Sequence, residues 1–568
     1  MRRPMIWILS LAVAAMIGAA LWSARTRVAE NSVLVLELGG DLEEAPPSDL
    51  LAKWQARGPA LPTLLLLLDM AAADSRVQAV LVHVRPLSLG YARIQELRDA
   101  LARVRGAGKR VIALVDETSL NATRELYLAS AAERVFVEPA SLAPLAGIAG
   151  QYLHLGGFFE KIGVEWQVAR VGEYKSAVEQ FAAREMSPKA REMTDALLDG
   201  IFGQIVEGIA AGRGIDAASV RAQIDAAPGT PDELVAARLA DGIASRDEVL
   251  AKAGLDGASE LESDDYLRVD ARSLGLRSGP TIALVFGEGT IVEERGRSMS
   301  RVFAADETVE SLDEAAKNDE IRAVVLRINS PGGGAQPSDK VWRAVSRVRA
   351  KKPIVVSMAD YAASGGYYVA SGATAIVAEP ATLTGSIGVF LLRPSFSGLY
   401  RKLEIGTELI ERGPYSGVIG GDRPFTPEQQ ARTDSFIEAS YREFLGRVST
   451  GRELSTEAVD ALGRGRVWLG SDAFARKLVD EVGGLRVAIE RARKEAGIES
   501  EPDPVRLILP APRSSAEQLR ELIRGDARSL LLRALLPAEL PFAFALALDW
   551  LPVDGALAYL PPYWIEIR

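Results

Sequence analysis

The sequence contains no cysteine and only two histidines, His83 and His154, in 568 residues. The missing cysteines exclude disulfides, thiolate metal sites, iron–sulfur clusters and cysteine nucleophiles together. With two imidazoles, no His/Cys cluster and no phosphate-binding glycine loop, neither a metal nor a cofactor is expected. A basic face is lacking too. Lys+Arg number 66 against 76 Asp+Glu, a net charge of −10, which argues against a nucleic-acid partner. What remains is an ordinary globular composition, 48% hydrophobic and 25% charged, with length for at least two domains.

One long uncharged run stands at the start. Met5–Trp22 follows Arg2 and Arg3 and precedes Arg25 and Arg27. Eighteen helical residues span roughly 27 Å, close to a thin hydrocarbon core. Residues 1–30 are therefore expected to be a membrane anchor, with Arg2 and Arg3 cytoplasmic and the bulk of the chain exported. A cleaved signal peptide is the rival reading, since Ala20, Ser23 and Ala24 offer small residues, but the apolar run is long for one.

The rest of the chain is written twice. Val77–Val84 resembles Ile321–Ile328, an apolar run of buried-strand type. Helical stretches follow at Ala92–Ala107 and Ser338–Ala350, then strands at Arg110–Val115 and Pro353–Met358. Leu126-Tyr-Leu-Ala-Ser130 matches Tyr367-Tyr-Val-Ala-Ser371, and Val137-Glu-Pro-Ala-Ser141 matches Ala378-Glu-Pro-Ala-Thr382, both at an offset of 241. A constant offset through several elements indicates duplication. Strands alternating with helices imply βαβ units and parallel sheets. Long helical patterns, Ala182–Gly212 and Pro427–Gly451, close each copy. Four segments result: anchor 1–30, first repeat 31–275, second repeat 276–490, and a linker with an apolar tail, 491–568.

The chemistry lies where the copies differ. After its apolar strand the second copy has Asn329-Ser-Pro-Gly-Gly-Gly334, where the first has Arg85-Pro-Leu-Ser-Leu-Gly90. Consecutive glycines let backbone N–H groups approach a ligand and hold an oxyanion. Next, Ala362-Ala-Ser364-Gly-Gly366 puts small residues on both sides of a serine between a strand and a helical segment. That permits a sharp bend exposing the hydroxyl, the logic of a nucleophile elbow, with the Gly365 N–H as a second oxyanion donor. A plain serine helix cap is the alternative. The first copy has Thr123-Arg-Glu125 there and cannot make the same turn.

A nucleophilic serine needs a base. His83 sits mid-strand among Val and Leu, where a core histidine is the better reading, and His154 has no acidic neighbour in sequence to orient it. Lysine is the other candidate. Gly172-Glu-Tyr-Lys175 aligns with Gly413-Pro-Tyr-Ser416, again at 241. The first copy keeps a lysine without a usable serine; the second keeps the serine without that lysine. A composite Ser–Lys pair, Ser364 with Lys175, follows. The lysine must be neutral, so burial away from carboxylates is required, lowering a pKa of about 10.4 by roughly 3–5 pH units.

With Asn329-Ser-Pro-Gly-Gly333, Tyr361-Ala-Ala-Ser-Gly-Gly-Tyr367, Leu383-Thr-Gly-Ser-Ile-Gly388 and Tyr174-Lys-Ser-Ala-Val-Glu179, the chain resembles the signal peptide peptidase A family. The likeness is to its long, duplicated form, also called protease IV, over about residues 30–490. The resemblance implies Ser364 as nucleophile, Lys175 as general base, Ser386 orienting the lysine, and Gly365 with Gly332 or Gly333 as oxyanion donors. It also implies tandem ClpP/crotonase-like α/β repeats behind an N-terminal transmembrane helix. Expected partners are signal peptides, other membrane-derived peptides and membrane lipid; the expected state is a homotetramer on the periplasmic face of a bacterial inner membrane. The rivals are a crotonase-type acyl-CoA enzyme, which would rely on Glu or Asp, and an inert membrane scaffold.

Overall fold

A computed structural model describes residues 28–46, 59–295, 301–418 and 420–510. Met5–Trp22 and the apolar tail beyond residue 510 lie outside the described residues. Among the described residues no helix is long and apolar enough to cross a membrane.

The first repeat contributes β1 (Ser32–Gly40), β2 (Val77–Leu87), β3 (Arg110–Val115), β4 (Arg134–Val137), β5 (Glu165–Val171), β6 (Gly242–Ile243) and β7 (Ser259–Glu262). The second contributes β8 (Gly279–Glu288), β9 (Thr290–Val292), β10 (Val302–Ala304), β11 (Ile321–Ser330), β12 (Ile354–Ala363) and β13 (Ala375–Ala378). It continues with β14 (Leu383–Gly385), β15 (Val389–Ser395), β16 (Val467–Leu469), β17 (Glu481–Val482) and β18 (Pro504–Leu509). One sheet runs β6-β4-β3-β2-β1-β7, and the other repeats that order as β17-β13-β12-β11-β8-β18, with β14 and β16 added beside β12. The duplication written in the sequence is a duplication of topology.

These strands read as continuous apolar runs because both faces are covered. Val80, Val82 and Val84 of β2 face one core, while Ala79 and Leu81 face another. In β11, Val324, Leu326 and Ile328 face the core of the second repeat. Their neighbours Ala323 and Val325 join the core built by the first. The two repeats thus share one apolar interior.

The end of the second repeat falls later than the sequence indicated. Residue 490 lies inside the helix Leu485–Glu495, whose Leu485, Ala488, Ile489 and Ala492 enter the shared core. Beyond it, β18 pairs in parallel with β8 and holds the place that β7 holds beside β1. Residues 491–510 therefore complete the second sheet and are not linker. The long helices are Pro188–Arg213 and Pro427–Arg452. The first begins six residues later than the pattern implied, because Ser187 caps it and Pro188 takes its first turn. Neither closes its repeat, since β6–β7 and β16–β18 follow.

A two-stranded antiparallel pairing ties the repeats: β5 pairs with β15 from Val171–Val389 to Glu165–Ser395. β5 ends just before Gly172, and β15 starts three residues after Ser386. This cross-repeat ribbon delivers Lys175 to the second copy.

Candidate active site

The strand β12 ends at Ala363, and the next residue, Ser364, has φ 53° and ψ −116° before the helix Gly365–Ala370 begins. A non-glycine residue with positive φ is strained, and such strain gathers where side-chain direction matters. Small neighbours make the bend possible, and the Ser364 N–H is fixed by donating to the Gly385 carbonyl at 2.9 Å. The aligned Thr123 sits inside its helix instead. Its hydroxyl donates to Asn121 Oδ1 at 2.7 Å and accepts from the Gly147 N–H at 2.9 Å, so it is consumed locally.

Lys175 comes from the first repeat and is 4% exposed. Its Nζ lies 3.0 Å from Ser364 Oγ, 2.9 Å from Ser386 Oγ and 3.0 Å from the Ser386 carbonyl oxygen. The pair forms within a single chain. The Phe390 ring stands 5.9 Å from Nζ. Desolvation pulls the Lys175 pKa down to about 7. A neutral amine in this cage donates twice to Ser386 and presents its lone pair to the Ser364 hydroxyl.

Ser386 also has positive φ, 52°. That backbone turn aims its hydroxyl and its carbonyl at one nitrogen. The carbonyl is an unanticipated partner, as is Gly465: a Cβ there would lie 2.5 Å from the Lys175 backbone nitrogen and 2.7 Å from its Cβ, so only glycine lets this loop back the lysine. No motif spacing points to Gly465, which is 290 residues away in sequence.

The glycine turn packs against the serine. A Cβ on Gly332, at φ 111°, would lie 2.8 Å from both the Gly365 nitrogen and Ser364 Cβ. A Cβ on Gly365 would come 3.1 Å from the Gly333 nitrogen. The Gly332 N–H donates to Ser330 Oγ at 3.2 Å, so of the two expected donors Gly332 is already committed. Gly333 and Gly365 remain, side by side.

The histidines stand elsewhere. His83 is buried between Glu37 (Nδ1, 2.9 Å) and Asp116 (Nε2, 3.1 Å), a satisfied core histidine. His154 lies in the segment before the helix Gly156–Ile162. Among the described residues no group of three or more His, Cys, Asp or Glu could hold a metal ion.

Known proteins are similar to this chain over most of its length. The profile of peptidase family S49 matches residues 103–258 and 346–499, once per repeat. "Serine protease SPPA, chloroplastic" of Arabidopsis thaliana is 34% identical over 483 residues, 83% of this chain and 70% of that protein. "Protease 4" of Haemophilus influenzae is 30% identical over 501 residues, 83% of this chain and 80% of that protein. "Protease 4" of Salmonella typhi is 30% identical over 464 residues, 78% and 72% of the two chains. With two family matches, relatives alike over most of their length and a fold that repeats itself, the chain belongs to peptidase family S49, as a serine peptidase of the long, duplicated signal peptide peptidase A form.

Proposed function

We propose that the chain is a Ser–Lys endopeptidase that degrades signal peptides left after preprotein processing. The observation that carries this is the 3.0 Å approach of a buried Lys175 amine to the hydroxyl of a strained Ser364. In this reading Lys175 takes the Ser364 proton as Oγ attacks the peptide carbonyl. The developing oxyanion accepts from the N–H groups of Gly333 and Gly365, each worth about 3 kcal/mol. The lysine then returns its proton to the leaving amine. Water, deprotonated by the same lysine, hydrolyses the acyl-enzyme and frees Ser364. Ser386 holds the amine in line throughout.

The remaining parts of the reading are an N-terminal anchor at Met5–Trp22, catalytic repeats on the periplasmic side of a bacterial inner membrane, and a homotetramer. An anchored peptidase meets its substrates where apolar peptides accumulate. Small or apolar residues before the cleaved bond would suit it.

Substitution tests the assignment. Ser364→Ala and Lys175→Ala should each abolish peptidase activity on a lipoprotein signal peptide while the thermal transition persists. A fluorophosphonate should label the native protein and not Ser364→Ala. Activity surviving in Lys175→Ala but lost in His154→Ala would overturn the pair.

A further inference from the structure

The loop Gly463-Arg-Gly-Arg466, just before β16, touches both repeats beside the reactive pair. Arg464 and Gly465 are both left-handed, at φ 52° and 80°, and in an arginine that conformation is strained. The turn offers its backbone to two sides. The Arg464 carbonyl accepts from the Tyr174 N–H at 3.0 Å, in the first repeat. The Arg466 carbonyl accepts from the Ser386 N–H at 2.7 Å, in the second. Between them the Gly465 N–H donates to the Ile387 carbonyl at 2.7 Å. Gly385, which holds the Ser364 N–H, lies opposite Val467 in the pairing of β14 with β16. The nucleophile, the lysine and the serine beside it therefore hang on one backbone relay.

Arg466 ties the relay together with its side chain. Its backbone is fixed beside Ser386, while its guanidinium crosses to the first repeat. There it lies over the Tyr174 ring at 4.8 Å and is backed by the Trp468 ring at 4.6 Å. It donates to the Tyr174 hydroxyl at 3.1 Å and to Glu192 of the helix Pro188–Arg213 at 2.9 Å. Tyr174 is 9% exposed and immediately precedes Lys175. The first copy keeps the backbone bond without the side chain. Leu145, 241 residues before Ser386, donates its N–H to the Pro228 carbonyl at 3.1 Å, and a proline has nothing to reach across with.

We propose that Arg466 is a positioning residue for the reaction: its carbonyl sets the Ser386 turn, its guanidinium sets Tyr174, and together they hold the Lys175 amine against Ser364 and away from water. The role rests on the Ser–Lys reading above. Arg466 acts through geometry and not through charge, since burial alone lowers the Lys175 pKa. Loosening the clasp has two effects on one amine. The amine drifts from Ser364 Oγ, and water reaches it, so its pKa climbs back toward 10.5.

Arg466→Met keeps the aliphatic stem and removes the donors. Its kcat on a lipoprotein signal peptide should fall roughly 10–10²-fold, with KM changed far less. The midpoint of its kcat/KM profile should move up by roughly one pH unit. Tyr174→Phe, which alters no charge, should move the midpoint the same way by less. Arg466→Lys, a cation without the planar fork, should recover part of kcat. Amide exchange at Tyr174 and Ser386 should quicken together in Arg466→Met while the thermal transition persists. A lowered kcat with the native midpoint would overturn the proposal, because a residue that merely supports the fold leaves the lysine's titration alone. So would native exchange at both amides. Should Arg466→Met not fold, a native midpoint in Tyr174→Phe overturns it instead. Activity surviving in Lys175→Ala removes the Ser–Lys reading and the clasp with it; an inactive Lys175→Ala beside a native Arg466→Met profile removes the clasp alone.

Discussion

Lys175 keeps its hydrogen bonds but loses its solvent, and that combination sets the pH behaviour of the chain. In the proposed mechanism the neutral amine is the competent form, so kcat/KM should rise with pH through a midpoint of about 7 and level above it. A profile flat from pH 6 to 9 would mean that the lysine is not the base. The same burial works against stability. The unfolded lysine titrates near 10.5 and the folded one near 7, so between these values the unfolded state binds more protons and stability rises with pH. At pH 7 the burden is on the order of 4 kcal/mol. Lys175→Met, similar in length and uncharged, should therefore abolish turnover yet raise Tm at pH 7, with the gain shrinking toward pH 10. A lower Tm would contradict the desolvation. The meeting of Lys175 with Ser364 was legible, because the two copies differ from each other at these two positions. The Ser386 carbonyl was not: its aim depends on a backbone φ of 52°, and nothing in Leu383-Thr-Gly-Ser-Ile-Gly388 spells a dihedral angle.

At the scale of elements, β11 and β12 do most to place the chemistry, since the glycine turn leaves one and the strained serine leaves the other. They run in parallel register, Ser330 opposite Ala362, which brings Gly332–Gly333 against Gly365. Gly332→Ala would force a Cβ into that contact at a φ of 111°. Its kcat should fall by roughly 10²–10³, with KM changed far less and a normal unfolding transition, because an oxyanion interaction exists chiefly in the transition state. A kcat within twofold of the native value would put the oxyanion site elsewhere. The central strands were readable because burial on both faces demands unbroken Val, Ile and Leu. β18 escaped for the opposite reason. Pro504-Val-Arg-Leu-Ile-Leu509 is a half-buried edge strand beginning with proline and holding an arginine, after the turn-forming Glu499-Ser-Glu-Pro-Asp-Pro504. Its place became evident only beside β8, where β7 supplies the template.

At the scale of the molecule, a pair drawn from two repeats works only if the repeats cannot slide. Beyond the shared core, a buried ionic cluster holds them. Arg327 of β11 is 1% exposed and donates to Glu44 at 2.9 Å, Glu96 at 2.7 Å and Ser357 Oγ at 2.9 Å. Burial pushes the Glu44 carboxyl upward against the pull of Arg327. Asp360, four residues before Ser364, accepts from the Gly90 and Arg93 backbone N–H groups at 3.1 Å and from the Arg93 side chain. The first repeat thereby grips the strand that carries Ser364. Such ions are a poor source of net stability but a strict source of position, since breaking one strands the others without solvent. No signal in the sequence marks Arg327, whose counterpart in β2 is His83. Arg327→Met should lower the urea unfolding free energy by roughly 3–5 kcal/mol, and adding Glu44→Gln and Glu96→Gln should recover part of it. Under conditions where the single variant remains folded, kcat should fall while KM changes less, because a small slip between repeats lengthens the Nζ–Oγ approach. Native stability together with native kcat in Arg327→Met would mean that the apolar core alone fixes the repeats.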